Sequence, residues 1–336
     1  MLNNFRFLTA GESHGKCLTA IIDGVPSNLT VDIDFINNEL KRRQTGYGRS
    51  SRMQLETDTV EITAGIHNGK TTGAPLCLVI YNKDFNEKPP FTKFRPGHAD
   101  FAGSVKYNLS DLRDVLERSS ARKTAIEVAV GAVAKLLLKE FGITFSSKIL
   151  QIGTVTENFE KEIDMAKDQG DSLGGKFEII FKNLPIGLGS FVQWDRALDG
   201  KLAQCVMSVG GIKAVEIGEN PLGKKGSEYH DEIFFENGKF IRKTNNAGGI
   251  EGGMTNGEDL IVRAVMKPIP TMSKPLKTVD KETLQMCEAH FERSDTCAVE
   301  ACCVVAEARI ASVLADELMQ KFGGDSIDEI KKHYKE

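Results

Sequence analysis

Residues 95–125, RPGHADFAGSVKYNLSDLRDVLERSSARKTA, bring together side chains that bind anions and transfer protons. The stretch holds four arginines, a histidine (His98) close to an aspartate, and a Ser-Ser pair directly before an apolar run. Arginine is the preferred partner of phosphate and carboxylate groups, and histidine exchanges protons near neutral pH. This composition indicates a binding site for an anionic ligand.

The start of the apolar run, predicted to be a helix, explains why an anion is expected there. Ser119 and Ser120 occupy N-cap positions, and the first N–H groups of a helix have no partner inside it. Arg118 and Arg122 flank this end, although a helix N-terminus is normally stabilised by acidic neighbours. The cations therefore indicate an anionic ligand. The alternative is that these arginines are solvated or pair with acidic side chains of the preceding segment.

Further candidates for the same site lie elsewhere in the chain. His14 stands in a glycine-bracketed loop, GESHG, and Asp295 stands at the start of a second predicted helix. Two loop histidines beside phosphate-binding groups predict acid–base chemistry on a small, multiply anionic substrate whose phosphate leaves with help from arginines and a proton donor. The arginines of this constellation are Arg43, Arg49, Arg52, Arg95, Arg118, Arg122 and Arg293.

Hydrophobic periodicity predicts the elements that carry these residues. Apolar side chains recur at helical spacing over residues 120–141, and a shorter helix is predicted over residues 32–44. Residues 82–94 are polar, contain two prolines and are predicted to form a mobile loop or lid. Residues 151–169 are expected to be an acidic surface stretch. Strands are predicted over residues 18–22, 60–64, 76–81 and 215–218.

Two parts of the chain repeat in the same order. Placing Asp171 under Glu12 aligns Ser172 with Ser13 without a gap, and the alignment continues to a shared proline. Further on, FERSD mirrors LERSS, and each ERS triplet precedes a long Ala/Val-rich helix. Either match could arise by chance, but both in one order predict two related halves.

The repeat predicts an α+β fold with pseudo-twofold symmetry inside a single domain, residues 1–336. The two halves would span about residues 1–145 and 165–322. Each half would contribute an antiparallel sheet and one long central helix, with the two ERS loops at a shared cleft. Because Leu173 replaces His14 and Asp295 replaces Ser120 in the second half, each half would keep a different functional group.

Composition and missing motifs exclude other classes. A formal net charge of −4 gives no long-range attraction for polyanions, so nucleic acid is not expected as the main partner. Seven cysteines without CxxC spacing and no apolar run of a membrane span's length predict a cytoplasmic protein. No Walker A loop, Rossmann fingerprint or nucleophile elbow occurs in its required context. The histidines lack zinc-type spacing, so no metal is expected.

Six motifs in one order resemble the chorismate synthase family over residues 9–321: GESHG, RRQTGYGRSSRM, RPGHAD, ERSSARKTA, NNAGGIEGG and FERSDTCAVEA. The resemblance implies a β-α-β sandwich assembled as a homotetramer. It also implies a carbon–oxygen lyase of aromatic amino acid biosynthesis, the last step of the shikimate pathway. This enzyme removes the 3-phosphate and the C6 pro-R hydrogen of 5-enolpyruvylshikimate 3-phosphate by anti-1,4-elimination, giving chorismate. Reduced FMN is required without net redox change, since the flavin supplies chemistry that side chains supply poorly.

The resemblance also implies roles for individual residues. His14 would protonate the departing phosphate, His98 would set the protonation of the flavin, and Asp295 would assist proton transfer at flavin N5. The residues implied for substrate binding are Ser13, Arg49, Arg52, Arg95 and Arg122. Those implied for FMN are Arg118, Ser119, Ser120, Gly210, Gly211, Gly252, Lys267, Pro268, Ile269, Pro270, Thr271 and Arg293, and Arg43 with Arg49 match NADP positions.

Some residues depart from the family pattern. Gly210 and Gly211 stand where the family often has Asn-Ala beside FMN, which removes a side-chain contact. Lys123 replaces a usual glutamate and Ser50 replaces a glycine. No long insertion typical of members that reduce their own flavin is present, so FMN is expected to be reduced elsewhere, with NADPH as a candidate reductant.

Two other functions remain open on the sequence. One is an FMN- and NADPH-dependent flavin reductase that uses the same cleft, against which the missing Rossmann pattern counts. The other is a non-catalytic module for nucleotides or RNA, for which the basic run over residues 41–52 is the best support. The scarcity of aromatic residues in that run argues against it.

Overall fold

Two antiparallel sheets enclose two long helices. The computed structural model describes residues 2–50, 56–86, 88–292 and 294–335. The first sheet has the strand order β1-β2-β6-β3. Its strands and the small hairpin β4–β5 are β1 (Arg6–Ala10), β2 (Cys17–Asp23), β3 (Glu61–Ala64), β4 (Ile66–His67), β5 (Lys70–Thr71) and β6 (Leu76–Tyr81).

The second sheet repeats this arrangement with the order β7-β8-β14-β9, and three hairpins project from the second half. The strands are β7 (Thr144–Ile152), β8 (Gly175–Lys182), β9 (Ile212–Ile217), β10 (Ile233–Glu236), β11 (Lys239–Arg242), β12 (Ile250–Glu251), β13 (Met254–Thr255), β14 (Leu260–Met266), β15 (Lys277–Val279) and β16 (Met286–Glu288).

The helices fill the space between the sheets and cover the ends. They are α1 (Ile33–Gln44), α2 (Asp100–Tyr107), α3 (Leu112–Ser119), α4 (Thr124–Lys139), α5 (Phe159–Asp168), α6 (Leu198–Met207), α7 (Gly226–Tyr229), α8 (Val299–Phe322) and α9 (Ile327–Lys335), with 3-10 turns at Ala121–Lys123 and Trp194–Arg196. Helix α4 packs on β2 and β6, α8 packs on β7 and β8, and α4 and α8 pack against each other. The layers therefore run sheet, helix, helix, sheet.

Equivalent hydrogen bonds occur in the two predicted halves. Thr71 Oγ1 donates to the Pro26 carbonyl at 2.6 Å, and Thr255 Oγ1 donates to the Pro185 carbonyl at 2.6 Å. In both halves the threonine belongs to a short hairpin (β4–β5 or β12–β13), and the proline follows the strand that the sequence repeat aligns. The long helices α4 and α8 each start seven residues after the glutamate of an ERS triplet.

The long first helix begins later than predicted. Ser119 ends α3, and Ser120 has an extended ψ of 144° that interrupts the helical run. Ser120 then caps the 3-10 turn by accepting the Arg122 N–H, so neither serine caps α4. The predicted helix over residues 120–141 therefore becomes a turn followed by α4. The serines face the GESHG loop and α3 rather than the start of the long helix.

Other predicted elements agree with the structure to within a few residues, with two differences. The expected surface stretch 151–169 contains a helix, α5, because Ile163 and Ala166 give it a buried side. The second sheet begins at Thr144, earlier than the predicted start of the second half. Among the described residues, no helix combines the length and apolar character needed to cross a membrane.

Candidate active site

The GESHG loop is held by the end of α3. The Ser13 N–H donates to the Glu117 carbonyl at 3.0 Å, and the His14 N–H donates to Glu117 Oε2 at 2.7 Å. His14 Nδ1 lies 2.7 Å from Glu117 Oε1, while Nε2 lies 3.9 Å from Asp84 Oδ2. The loop needs glycine at Gly11, where φ is 108° and a Cβ would overlap the neighbouring strand β2. His14 is therefore fixed through both its backbone and its ring.

Arg118 also contacts the GESHG loop. Its guanidinium donates to the Gly11 carbonyl at 3.0 Å, to the Thr9 carbonyl at 2.8 Å and to Thr9 Oγ1 at 2.8 Å. Ser119 Oγ donates back to the Val115 carbonyl of α3 at 2.7 Å. Arg118 and Ser119, two of the residues predicted to line FMN, therefore hydrogen-bond to the protein.

Arg122 lies at the centre of a buried polar cluster. Its Nε donates to Asn82 Oδ1 at 2.8 Å and its Nη1 donates to Asp58 Oδ1 at 2.6 Å. Its Nη2 is buried and makes no hydrogen bond to the described residues, although Glu56 Oε2 lies 3.6 Å away. Ser120 Oγ donates to Ser13 Oγ at 3.2 Å, which joins this cluster to the GESHG loop. Arg122 Nη2 could therefore donate a hydrogen bond to an anionic ligand.

The cluster continues to the predicted acid of the second half. Arg43 is buried. Its guanidinium donates to Thr124 Oγ1 at 2.9 Å and lies 3.4 Å from Asp58 Oδ2. Burial lowers the pKa of Arg43 to about 10. Arg49 Nε lies 3.0 Å from Asp295 Oδ2, and the Ser50 N–H donates to Asp295 Oδ1 at 2.6 Å. The two halves therefore meet at this site, as the repeat predicts.

The second predicted histidine belongs to a separate triad in the RPGHAD motif. His98 Nδ1 lies 2.8 Å from Asp100 Oδ1, and the Arg95 guanidinium donates to both carboxylate oxygens of Asp100. Burial opposes ionisation of Asp100, but the hydrogen bonds from Arg95 and His98 outweigh it and hold the pKa of Asp100 below its usual range. His98 Nδ1 also lies 3.0 Å from Arg95 Nη2, so the ring contacts both members of the Arg95–Asp100 pair.

The segment over residues 267–271 lies against this triad. Lys267 Nζ donates to the Gly97 carbonyl, and Pro270 lies beside Gly97. The Lys267 N–H donates to the Gly211 carbonyl at 2.9 Å, which places the Gly210–Gly211 turn next to it. The carbonyls at 269 and 271 accept hydrogen bonds from serine hydroxyls, so the segment is anchored to the second half.

One predicted site residue, Gly252, makes none of these contacts, and two others lie outside the described part of the chain. Gly252 lies in the β12–β13 hairpin, at the end of strand β14 opposite Met266 and Lys267. Arg52 and Arg293 lie outside the described residues.

A polar cavity of about 400 Å³ opens beside the Arg49–Asp295 pair. Arg49, Ser50 and Lys167 contribute polar or charged groups to its wall. Its remaining lining residues are Tyr47, Gly48, Asp164, Ser294 and Thr296. The volume lies in the range of small-molecule sites, and the wall carries two cations, Arg49 and Lys167, and one carboxylate, Asp164.

Several residues of the site were not identified from the sequence. Asp58, Asn82 and Asp84 come from irregular segments without any pattern that singles them out. Glu117 did carry a signal, because the sequence repeat aligns it with Glu292 in the second ERS triplet. The glutamates behave alike in the structure: Glu117 contacts His14, and Glu292 Oε1 lies 3.1 Å from His290 Nε2.

The fold and the site define a class of protein: a two-sheet α+β sandwich that carries histidines, carboxylates and arginines arranged for acid–base chemistry on an anionic ligand. The family model described as chorismate synthase matches residues 5–319. The chain therefore belongs to the chorismate synthase family, whose members are enzymes.

Individual relatives agree with this assignment over almost their whole length. The chain is similar to the chorismate synthase of Thermoanaerobacter pseudethanolicus, with 57% identity covering 98% of this chain and 97% of that protein. It is 46% identical to that of Aquifex aeolicus, covering 100% of this chain and 98% of the relative. A solved structure described as a crystal structure of chorismate synthase superposes with a TM-score of 0.83 at 41% identity, covering 100% and 97% of the two chains.

Proposed function

We propose that the protein converts 5-enolpyruvylshikimate 3-phosphate to chorismate and phosphate, acting as a carbon–oxygen lyase on a phosphate ester. The C3–O bond breaks with its electron pair leaving on phosphate, and the C6 pro-R hydrogen leaves as a proton in an anti-1,4 sense. The observation that carries the proposal is the continuous cluster joining His14, Arg122 and Asp295. It combines a proton donor, a buried cation with an unused N–H and a carboxylate.

The residues around the cluster fit reduced FMN. Arg122 Nη2 and Arg113 Nη1 are buried donors that make no hydrogen bond to the described residues, and an anionic group would satisfy them. Burial lowers the pKa of Lys267, with the neighbouring Lys213 adding to the effect, and a bound anion would stabilise its charged form. The polar cavity beside Arg49 adds a place for a phosphorylated chain. When bound, reduced FMN supplies an electron-rich ring that promotes loss of the allylic phosphate without net redox change.

The side chains then have separate tasks. His14 donates a proton from Nε2 to the departing phosphate, whose charge Arg122 and Arg49 stabilise. Asp295, held by the Ser50 N–H and by Arg49, assists removal of the C6 proton. His98, oriented by Asp100, sets the protonation next to the cofactor. Ser13 and Arg95, with Arg52 beyond the described residues, complete the proposed contacts to the substrate.

We further propose that the enzyme uses FMN reduced elsewhere in the cytoplasm, with NADPH as a candidate source of electrons. Arg43, one of the two NADP positions implied by the family, is buried and engaged with Asp58, Thr124 and the Ala121 carbonyl. This supports a structural role for Arg43 and counts against a nicotinamide nucleotide bound there.

An anaerobic assay tests the proposed function. We expect 5-enolpyruvylshikimate 3-phosphate and chemically reduced FMN to yield equal amounts of phosphate and chorismate, with FMN still reduced at the end. Steady oxidation of NADPH without phosphate release would instead identify a flavin reductase. Absence of both activities with intact FMN binding would refute the elimination.

A further inference from the structure

We infer that Glu117 is a positioning residue that holds His14 in the tautomer with a proton on Nδ1, so that Nε2 alone exchanges protons with the substrate. The inference rests on the proposed role of His14 as proton donor and adds the residue that orients it. Glu117 does not touch the substrate in this account and acts through the histidine.

The geometry requires both oxygens of the Glu117 carboxylate. Oε2 accepts the His14 backbone N–H at 2.7 Å, and Oε1 lies 2.7 Å from Nδ1 of the same residue. The Glu117 carbonyl also accepts the Ser13 N–H at 3.0 Å. The backbone bonds fix where the loop lies, and the Nδ1 contact fixes how the ring is turned. One side chain thereby removes both the translational and the rotational freedom of His14.

The charge state of Glu117 decides which histidine nitrogen carries the proton. Burial opposes ionisation of this carboxyl, but the hydrogen bonds from His14 outweigh it, and nearby Arg113 assists, so the pKa of Glu117 lies below its usual range. A carboxylate only accepts hydrogen bonds, so Nδ1 must be the donor. The hydrogen bond made by one ring nitrogen of a histidine sets which nitrogen carries the proton. Here Nδ1 is held by Glu117, so Nε2 is the nitrogen that can exchange a proton with the substrate.

The remaining groups around His14 do not hold the ring in this way. Asp84 Oδ2 lies 3.9 Å from Nε2, too far for a direct hydrogen bond, and it belongs to the irregular segment after β6. Arg113 lies one turn before Glu117 on α3 and pairs with Glu292 at 2.8 Å. The Ser13 and Ser120 hydroxyls bond to each other.

The tautomer can be observed directly by ¹⁵N NMR on protein labelled at its six histidines, with the His14 signals assigned from His14→Asn. In the wild type, neutral His14 should carry its proton on Nδ1. Glu117→Gln offers one acceptor oxygen where two are used, so one of the His14 hydrogen bonds must be lost. We expect the variant to show a mixture of tautomers or the Nε2-protonated form. A wild-type His14 protonated on Nε2 would overturn the inference.

Kinetics separate positioning from a structural effect. Glu117→Gln should lower kcat about 100-fold, the scale of general acid–base contributions, while the Kd of FMN and the thermal stability stay near those of the wild type. Glu117→Asp keeps two acceptors at a shorter reach and should recover part of the rate. Glu140→Gln, which removes an ion pair with Lys331 at the far end of α4, is the matched control and should keep full activity.

The outcomes distinguish this inference from the proposed function. Full activity in both Glu117 variants would refute the positioning role even if His14→Ala is inactive. Full activity in His14→Ala would refute the role of His14 itself, whatever its tautomer. If Glu117→Gln does not fold, Glu117→Asp and the wild-type tautomer still decide the question.

Discussion

At the scale of single residues, the arginines are of two kinds. Some donate their hydrogen bonds to protein acceptors, and others keep an N–H that could donate to a ligand. Arg118 satisfies oxygens of the GESHG loop, and Arg43 is buried among protein acceptors. Arg122 is equally buried but keeps Nη2 without a hydrogen bond to the described residues. Because an unsatisfied buried donor costs about 1–3 kcal/mol, its persistence favours a ligand that accepts from it.

His14→Ala should slow phosphate release by about 100- to 10,000-fold, the range that a general acid contributes. FMN binding should change little, because no proposed FMN contact involves the His14 ring. Stopped-flow measurement of chorismate absorbance under single-turnover conditions would measure the rate. His67→Ala, on the exposed β4–β5 hairpin, is the control. A His14 variant that works at full rate would remove this residue from the mechanism.

At the scale of elements, the site depends on the contact between α4 and α8. Gly131 of α4 lies directly against Ala308 of α8, and a Cβ at Gly131 would overlap the Ala308 backbone and side chain. Near this contact, Lys135 of α4 forms a buried ion cluster with Glu307 of α8 and Glu39 of α1. Arg42 of α1 pairs with Glu307 on the more exposed side of the cluster. The closely packed helices therefore enclose a buried ion cluster, and removing one of its charges would leave the others uncompensated.

Gly131→Ala should destabilise the fold by about 1–3 kcal/mol, because overpacking forces the two helices apart. The matched control is Gly200→Ala in α6, where an added Cβ meets only the Trp194 carbonyl at 3.9 Å. That variant should gain about 0.5–1 kcal/mol from its better helix propensity. Urea unfolding curves of both proteins would measure the difference. Equal effects of the two substitutions would contradict the close contact between α4 and α8.

The buried cluster also predicts how stability depends on pH. Burial alone would raise the pKa of Glu307, but Lys135 and Arg42 outweigh it and lower the value from 4.5 to about 2. A depressed folded-state pKa gives stability that is present above pH 4.5 and lost as the pH falls towards about 2.

Glu307→Gln should therefore cost about 3–5 kcal/mol at neutral pH, since it leaves buried cations less compensated. Its stability should fall less steeply than that of the wild type as the pH is lowered below 4.5. Chemical unfolding at a series of pH values would measure both quantities. Parallel pH profiles for the two proteins would show that Glu307 does not supply this acid sensitivity.

At the scale of the whole molecule, the outer faces of the two sheets differ. The outer face of the first sheet exposes Leu8 and Ile21, which lie opposite each other in the strand register, next to the exposed Arg6–Asp23 ion pair. On the second sheet, the corresponding face carries ion pairs such as Arg263–Glu178 and Lys176–Glu216. An apolar sheet face is a candidate for contact with other copies of the chain, whereas an ion-paired face is stable in water. The outer face of the first sheet is therefore a candidate interface for the homotetramer that the sequence resemblance implies.

Leu8→Arg should reduce the assembly to smaller species, because the charge would be buried without a partner between two sheets. Light scattering after size-exclusion chromatography would report the mass, with a tetramer expected for the wild type. Leu284→Arg is a control with similar exposure, 79% against 81% for Leu8, on a hairpin turn away from the sheet. A Leu8→Arg protein of unchanged tetrameric mass would exclude this face from the interface.

The sequence determined the family, the α+β fold and helices α1, α4 and α8, because periodicity and short motifs are local properties of the chain. It did not predict α2 and α3, which carry Asp100 and Glu117. The resemblance also predicts that His14, His98 and Asp295 are the catalytic groups, which stays a prediction. The tertiary structure decided which partner each polar group meets. Glu117 reaches His14 across 103 positions, and Asp58 lies between Arg43 and Arg122. Such pairings depend on how the halves pack, which is why Arg118 holds a loop although its neighbours in sequence predict an anion site.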